Sequence, residues 1–136
     1  MRIKLVSLHV DDQQRALEFY TEVLGFAKKH DVPAGGARWI TVVAPEAPDD
    51  LELVLEPNNH PAAAAYQAAL MKDGIPATAF ESTDIRAECQ RLKRCGVVFT
   101  LEPTDAGPVT LAIFADTCGN LIQIYQPTQA APATRA

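Results

Sequence analysis

The segment Leu51-Glu52-Leu53-Val54-Leu55-Glu56-Pro57 has a counterpart near the other end of the chain, Leu121-Ile122-Gln123-Ile124-Tyr125-Gln126-Pro127. Both runs have the same length, interleave apolar with polar residues and close on Glu-Pro or Gln-Pro. Alternation with a period of two marks a β-strand, whose successive side chains point to opposite faces. Leu51, Leu53 and Leu55 therefore share one face, and Glu52, Val54 and Glu56 the other. A leucine face calls for a cover such as a helix. A face with two carboxylates calls for water, a cation, hydrogen-bond donors or a ligand. The echo constrains the chain to be built twice, and function turns on what the two polar faces look at.

Residues 4–10 also alternate, with Val6, Leu8 and Val10 on one side and Leu5, Ser7 and His9 on the other, which predicts a first strand. Asp11 or Asp12 caps a helix over 13–24, whose stripe is Ala16, Leu17, Tyr20, Val23 and Leu24, and Gly25 ends it. Strands follow at 26–30, 38–43 and 51–57, separated by a turn at 33–36 and a loop at 44–50. Asn59 caps an alanine-rich helix over 62–72, stopped by Gly74 and Pro76. The second half then repeats the order: a strand at 77–81, a helix at 85–94 capped by Thr83-Asp84 and ended by Gly96, and strands at 97–101, 109–114 and 121–126. Each half reads strand, helix, strand, strand, strand, an α+β pattern, and the agreement of the halves supports both. One domain is expected over 1–127, made of a first unit at 1–60, a linking helix at 61–75 and a second unit at 76–127. Residues 128–136 lack an apolar pattern and are expected to form a disordered tail.

A net charge of −5 without a basic cluster argues against nucleic acid as a partner. No apolar run approaches the ~20 residues of a membrane span, and the N-terminus enters a strand pattern without a signal-peptide layout. Cys89, Cys95 and Cys118 are odd in number, lack metal-ligand spacing and have no evident base partner. They read as reduced thiols, and the chain as cytoplasmic.

Leu8-His9-Val10-Asp11-Asp12 through Phe19-Tyr20-Thr21-Glu22-Val23-Leu24-Gly25-Phe26 resembles the V-x-D…FY…LGF opening of the vicinal oxygen chelate superfamily. That group includes glyoxalase I, extradiol dioxygenases, and fosfomycin- and bleomycin-resistance proteins. Asp116-Thr117-Cys118-Gly119-Asn120-Leu121-Ile122-Gln123-Ile124 resembles its closing D-P-x-G-N-x-I-E-L turn and strand. The resemblance implies a glyoxalase-like fold: two βαβββ units forming a curved, partly open sheet around a cavity, commonly in a homodimer. It also implies a divalent metal held by residues of the first and last strands of each unit.

Counted from the capping aspartates, the positions implied for that metal are Leu5, Glu52, a residue at or near Thr78, and Gln123. One carboxylate, one amide, one hydroxyl and one leucine fall short of the three imidazole or carboxylate ligands that Mn²⁺, Fe²⁺ or Ni²⁺ usually takes. No cofactor is therefore expected, and the site reads as degenerate. The alternative is a displaced metal held by His9, Glu56 and a third group, since His9 shares the parity of Leu5 but lies roughly 13 Å further along a strand at ~3.3 Å per residue.

Glu52 reads either as a general base, with its pKa raised by burial, or as a carboxylate paired with Arg38 or another cation. Gln123 offers a donor and an acceptor for orienting a ligand, and Tyr125 shares its face. Trp39 walls a pocket or fills space, and Phe80 lines the cavity by packing. Ser7, His9, Glu56 and Thr78 complete the set of ligand-binding candidates, with a strand-end charge as the plain reading of Glu56 and a histidine at the cavity mouth, bonded to Asp11 or water, as that of His9. His30 and His60 fall at loops and are expected to be exposed. The function read from these residues is binding of a small organic molecule in the cavity between the units. Its rivals are a metal-dependent lyase, isomerase or dioxygenase, and a non-catalytic accessory subunit.

Overall fold

A computed structural model describes residues 1–128, so the predicted tail lies almost wholly outside the described residues. The first unit comprises β1 (Leu5–Val10), α1 (Gln13–Glu18, continuing as a π-helical turn over Phe19–Val23), β2 (Ala27–Ala34), β3 (Ala37–Val43) and β4 (Glu52–Pro57). The helix α2 (Pro61–Asp73) leads to the second unit, β5 (Thr78–Glu81), α3 (Ile85–Arg94), β6 (Phe99–Ala106), β7 (Val109–Ala115) and β8 (Leu121–Pro127). The two sheets have the same order, β1-β4-β3-β2 and β5-β8-β7-β6, and do not close on each other. In each, the first and last strands of the unit run side by side in parallel, joined by the helix and two antiparallel hairpins.

The local signals explain most of these elements. Asp12 and Asp84 cap α1 and α3 by accepting from the backbone N–H groups of Arg15 (3.0 Å) and Ala87 (3.2 Å). The cap of α2 is His60, whose Nδ1 accepts from the Ala62 N–H at 3.0 Å, and not Asn59. β2 and β6 run further than the proline and glycine signals predict. β6 continues through Pro103 because its register to β7 shifts between Leu101 and Thr104, where a residue without an N–H fits. The π turn likewise departs from the predicted helix, and it buries Phe19 beside Tyr20.

One core serves both units. Leu8, Val10, Leu53 and Leu55 enter it from the first sheet, Ala112, Phe114, Ile122 and Ile124 from the second, with α1 and α3 in between. Leu51 precedes β4 and stays exposed. Across the join, the buried Tyr20 hydroxyl donates to Asp116 Oδ2 at 2.6 Å. Asp116 is fully buried and also accepts from the backbone N–H groups of Cys118 (2.7 Å) and Asn120 (3.0 Å) and from Asn120 Nδ2 (2.8 Å). Gln67 reaches into the same junction from α2, with Nε2 at 2.9–3.1 Å from the carbonyl oxygens of His9 and Cys118 and from Asn120 Oδ1. A side chain at residue 119 would meet that amide: Gly119 has φ +99°, and a Cβ there would lie 2.7 Å from Gln67 Nε2.

Two substitutions test this junction. Tyr20→Phe should cost about 1–3 kcal/mol in chemical denaturation, the cost of a buried acceptor losing a donor. Gly119→Ala should cost about 2–4 kcal/mol, because it combines an unfavourable backbone conformation with displacement of the Gln67 amide.

Candidate functional site

The faces turned away from the shared core carry most of the candidate residues. On the first sheet, register pairs Leu5 with Glu52, Ser7 with Val54 and His9 with Glu56 across β1 and β4. Thr41 of β3 pairs with Val54 and with His30 of β2, and Trp39 shares its parity. On the second sheet, Gln123 and Tyr125 pair with Ala79 and Glu81 of β5, and with the half-buried Ile113 and Leu111 of β7.

Glu52 is only 6% exposed. Its carboxylate lies 3.8 Å from Lys4 Nζ, 3.7 Å from Lys29 Nζ and 3.7 Å from His30 Nε2. The two ammonium groups also hold the loop before β4: Lys4 donates to the carbonyl oxygens of Asp49 (2.8 Å) and Asp50 (2.6 Å), and Lys29 to that of Pro48 (2.8 Å). Beside Glu52, the Thr41 hydroxyl is buried without an aligned hydrogen-bond partner. Burial pushes the Glu52 carboxyl up, but the adjacent hydroxyl, Lys29, His30 and Lys4 outweigh it and hold the group below the ordinary carboxylate range. The direction is opposite to that expected of a general base poised near neutrality. Arg38 is not the partner; it grips Asp31 through Nε (3.0 Å) and Nη2 (2.7 Å).

Lys4, Lys29, His30 and Thr41 were not among the sequence candidates. The first of them was within reach: parallel pairing of first and last strands places residue 4 beside residues 51 and 52. His30 sits on β2 and not in a loop.

The register of β5 sets the facing of two further candidates. Register places Thr78 beside Ile122 and Phe80 beside Ile124, so both face the core, and Ala79 is the neighbour of Gln123. Phe80 packs edge-on against Phe26 (5.1 Å between ring centroids) and Tyr20 (6.5 Å). The positions implied for a metal thus hold a leucine, a carboxylate already ringed by two ammonium groups, an alanine and an amide. That donor set does not fit a divalent cation. The displaced alternative brings His9 and Glu56 side by side, but among the described residues no group of three His, Cys, Asp or Glu side chains is placed to hold an ion. Burial pushes the Cys89 thiol up to about 11 and that of Cys118 to about 12, which makes both poor nucleophiles.

The inner faces of both sheets meet in the common core, and register turns Glu52 and Gln123 to the opposite faces. Cavities do occur on the seam between the units. One of about 340 Å³ is lined by Val6, Leu53, Thr78 and Phe80, and one of about 200 Å³ lies by Leu24, Phe26, Phe80 and Arg91.

Residues 2–124 match the family model described as the Glyoxalase/Bleomycin resistance protein/Dioxygenase superfamily. The uncharacterized protein YurT of Bacillus subtilis (strain 168) is 59% identical over 126 residues, covering 93% of this chain and 99% of YurT. The crystal structure of UcmS2 superposes with a TM-score of 0.80 at 32% identity, covering 92% of this chain and 97% of that one. TnmS3, described as an antibiotic binding protein from Streptomyces sp. CB03234, superposes with a TM-score of 0.76 at 30% identity, covering 94% and 97%.

The Glu52 cluster has a pH signature. A carboxyl held low in the folded state stabilises the fold above its unfolded pKa, near 4.5, and loses that contribution as pH falls through the folded value. Glu52→Gln should therefore lower the melting temperature at pH 7, and calorimetry should show the gap to the unsubstituted protein narrowing below pH 4.5.

Proposed function

This chain belongs to the Glyoxalase/Bleomycin resistance protein/Dioxygenase superfamily, and on that premise we propose that it binds a small organic molecule on the outer faces of its sheets, without a catalytic metal. The observation that carries this reading is the Glu52 cluster. At a position that the resemblance implies for a metal ligand, this chain holds an ionised group committed to Lys4 and Lys29. Binding chemistry remains available around it. Trp39, His9 and Glu56 on one sheet, and Leu111, Ile113, Gln123 and Tyr125 on the other, are half-buried and combine apolar area with a few polar atoms, the usual make-up of a ligand site. The description of TnmS3 as an antibiotic binding protein supports the same class of ligand.

A second copy of the chain completes the pocket in this reading. Ile3, Leu5 and Val6 leave the β1 edge apolar and exposed. A homodimer that lays the first sheet of one protomer over the second sheet of its partner would bring Glu56 and Trp39 opposite Gln123 and Tyr125.

Trp39 is the single tryptophan, so its fluorescence reports on the first outer face directly. Titration with bleomycin and a panel of other antibiotics should give at least one saturable change in emission. The same ligand should raise the melting temperature by several degrees at about a hundred times its Kd, and a chelator such as EDTA should leave both effects unchanged. Stabilisation that appears only with added Mn²⁺, Fe²⁺ or Ni²⁺ would overturn this reading in favour of a metal-dependent enzyme. A stable hetero-complex on pull-down, with no ligand response, would favour an accessory subunit.

A further inference from the structure

We infer that the chain carries a second small-molecule site, on the seam between its two units, that takes a small organic cation with a flat apolar body. The inference does not rest on the outer-face reading. The cavity of about 200 Å³ has an aromatic floor formed by the half-buried Phe26 and Phe80, with the fully buried Phe114 and Leu92 behind them. Its mouth carries Glu46, Glu81, Glu88 and Arg91. Arg91 is not free to meet an anion: Nε and Nη2 lie 2.8 and 2.7 Å from Glu88 Oε2, and Nη1 donates to the Val23 carbonyl oxygen at 2.8 Å. Glu88 and Arg91 cancel, and the exposed carboxylates of Glu46 and Glu81 have no cation paired with them among the described residues. The mouth is therefore net negative above an aromatic floor. Aromatic faces attract cations, and desolvation strengthens that attraction.

The wall is also preformed. The π turn over Phe19–Val23 widens the helix before it exits at Gly25, and such turns recur at functional sites. Phe26 is then fixed by its N–H donating to the Tyr20 carbonyl oxygen at 3.0 Å and by its edge-on contact with Phe80. Arg91 pins Val23 from the other side, so residues of α1, β5 and α3 hold the cavity open together. Its size selects among cations. Drug-sized molecules need pockets of roughly 300–1,000 Å³, whereas about 200 Å³ admits one ring with a short amine arm. An anion of the same shape would face Glu46 and Glu81 with no free positive group to receive it.

Three probes that share a phenylethyl body test this on the full chain: 2-phenylethylamine, protonated at pH 7; neutral 2-phenylethanol; and anionic 3-phenylpropanoate. Amide chemical shifts followed up to about 10 mM ligand should move at residues 24–26, 81–82 and 88–91, most tightly with the amine and least with the anion. Glu46→Gln combined with Glu81→Gln, both exposed and so compatible with folding, should weaken the amine about two- to five-fold and leave the alcohol unchanged. Phe80→Leu should weaken both. The inference is overturned if the anion binds as well as the amine, if the glutamine pair changes nothing, or if shifts appear only at Trp39, His9 and Tyr125 or not at all. It is also overturned if the same amides shift with protein concentration alone, which would assign the cavity to a contact between copies. Failure of the seam site leaves the outer-face reading standing, because that reading is tested separately by Trp39 emission.

Discussion

The hydrogen bond from Tyr20 to Asp116 is the interaction on which the arrangement of the two units depends. Burial, together with the neighbouring carboxylate, pushes the Tyr20 hydroxyl well above its ordinary range, so it stays a donor. Neither partner can be left unpaired in a fully buried junction without a penalty comparable to a lost hydrogen bond. Asp116 in turn gathers the N–H groups of its own turn, and Asn120 and Gln67 extend the network to the backbone of His9 and to α2. One polar cluster thus ties α1, the end of β1, the linking helix and the turn before β8. It fixes which faces of the sheets meet in the core and which face outward.

That division separates structural polarity from chemical polarity. The Glu52 carboxylate stands on an outward face but works inward, as the anchor to which Lys4 and Lys29 bind the loop between β3 and β4. The other residues on the outward faces are half-buried aromatic and aliphatic groups with a few amide, imidazole and carboxylate atoms.

The doubled βαβββ order was legible because the alternation in 51–57 and 121–127 and the aspartate caps at Asp12 and Asp84 are local signals, complete within a few residues. The facing of β5 shows the opposite case. A strand of four residues between Pro76 and Ser82 has little pattern to set its phase, and a slip of one residue exchanges its faces. The direction of the Glu52 shift was hidden for another reason. Lys4 was within reach of the β1–β4 pairing, but Lys29 and His30 come from β2 and approach Glu52 only once β2, β3 and β4 lie side by side. The π turn has no local signature at all in Phe19-Tyr20-Thr21-Glu22-Val23, whose spacing suits an ordinary helix.

The Tyr20–Asp116 bond also has a bearing on the order in which the chain comes off the ribosome. Everything the first sheet needs has been synthesised by Pro57, so β1 can meet β4 early. The acceptor for Tyr20, however, arrives 96 residues after it. Until then the half-made protein must keep a hydroxyl wet that the finished one keeps dry. Its first unit can therefore assemble strands on its own but cannot seal its interior, and the arrival of the turn that carries Asp116 sets the moment of closure.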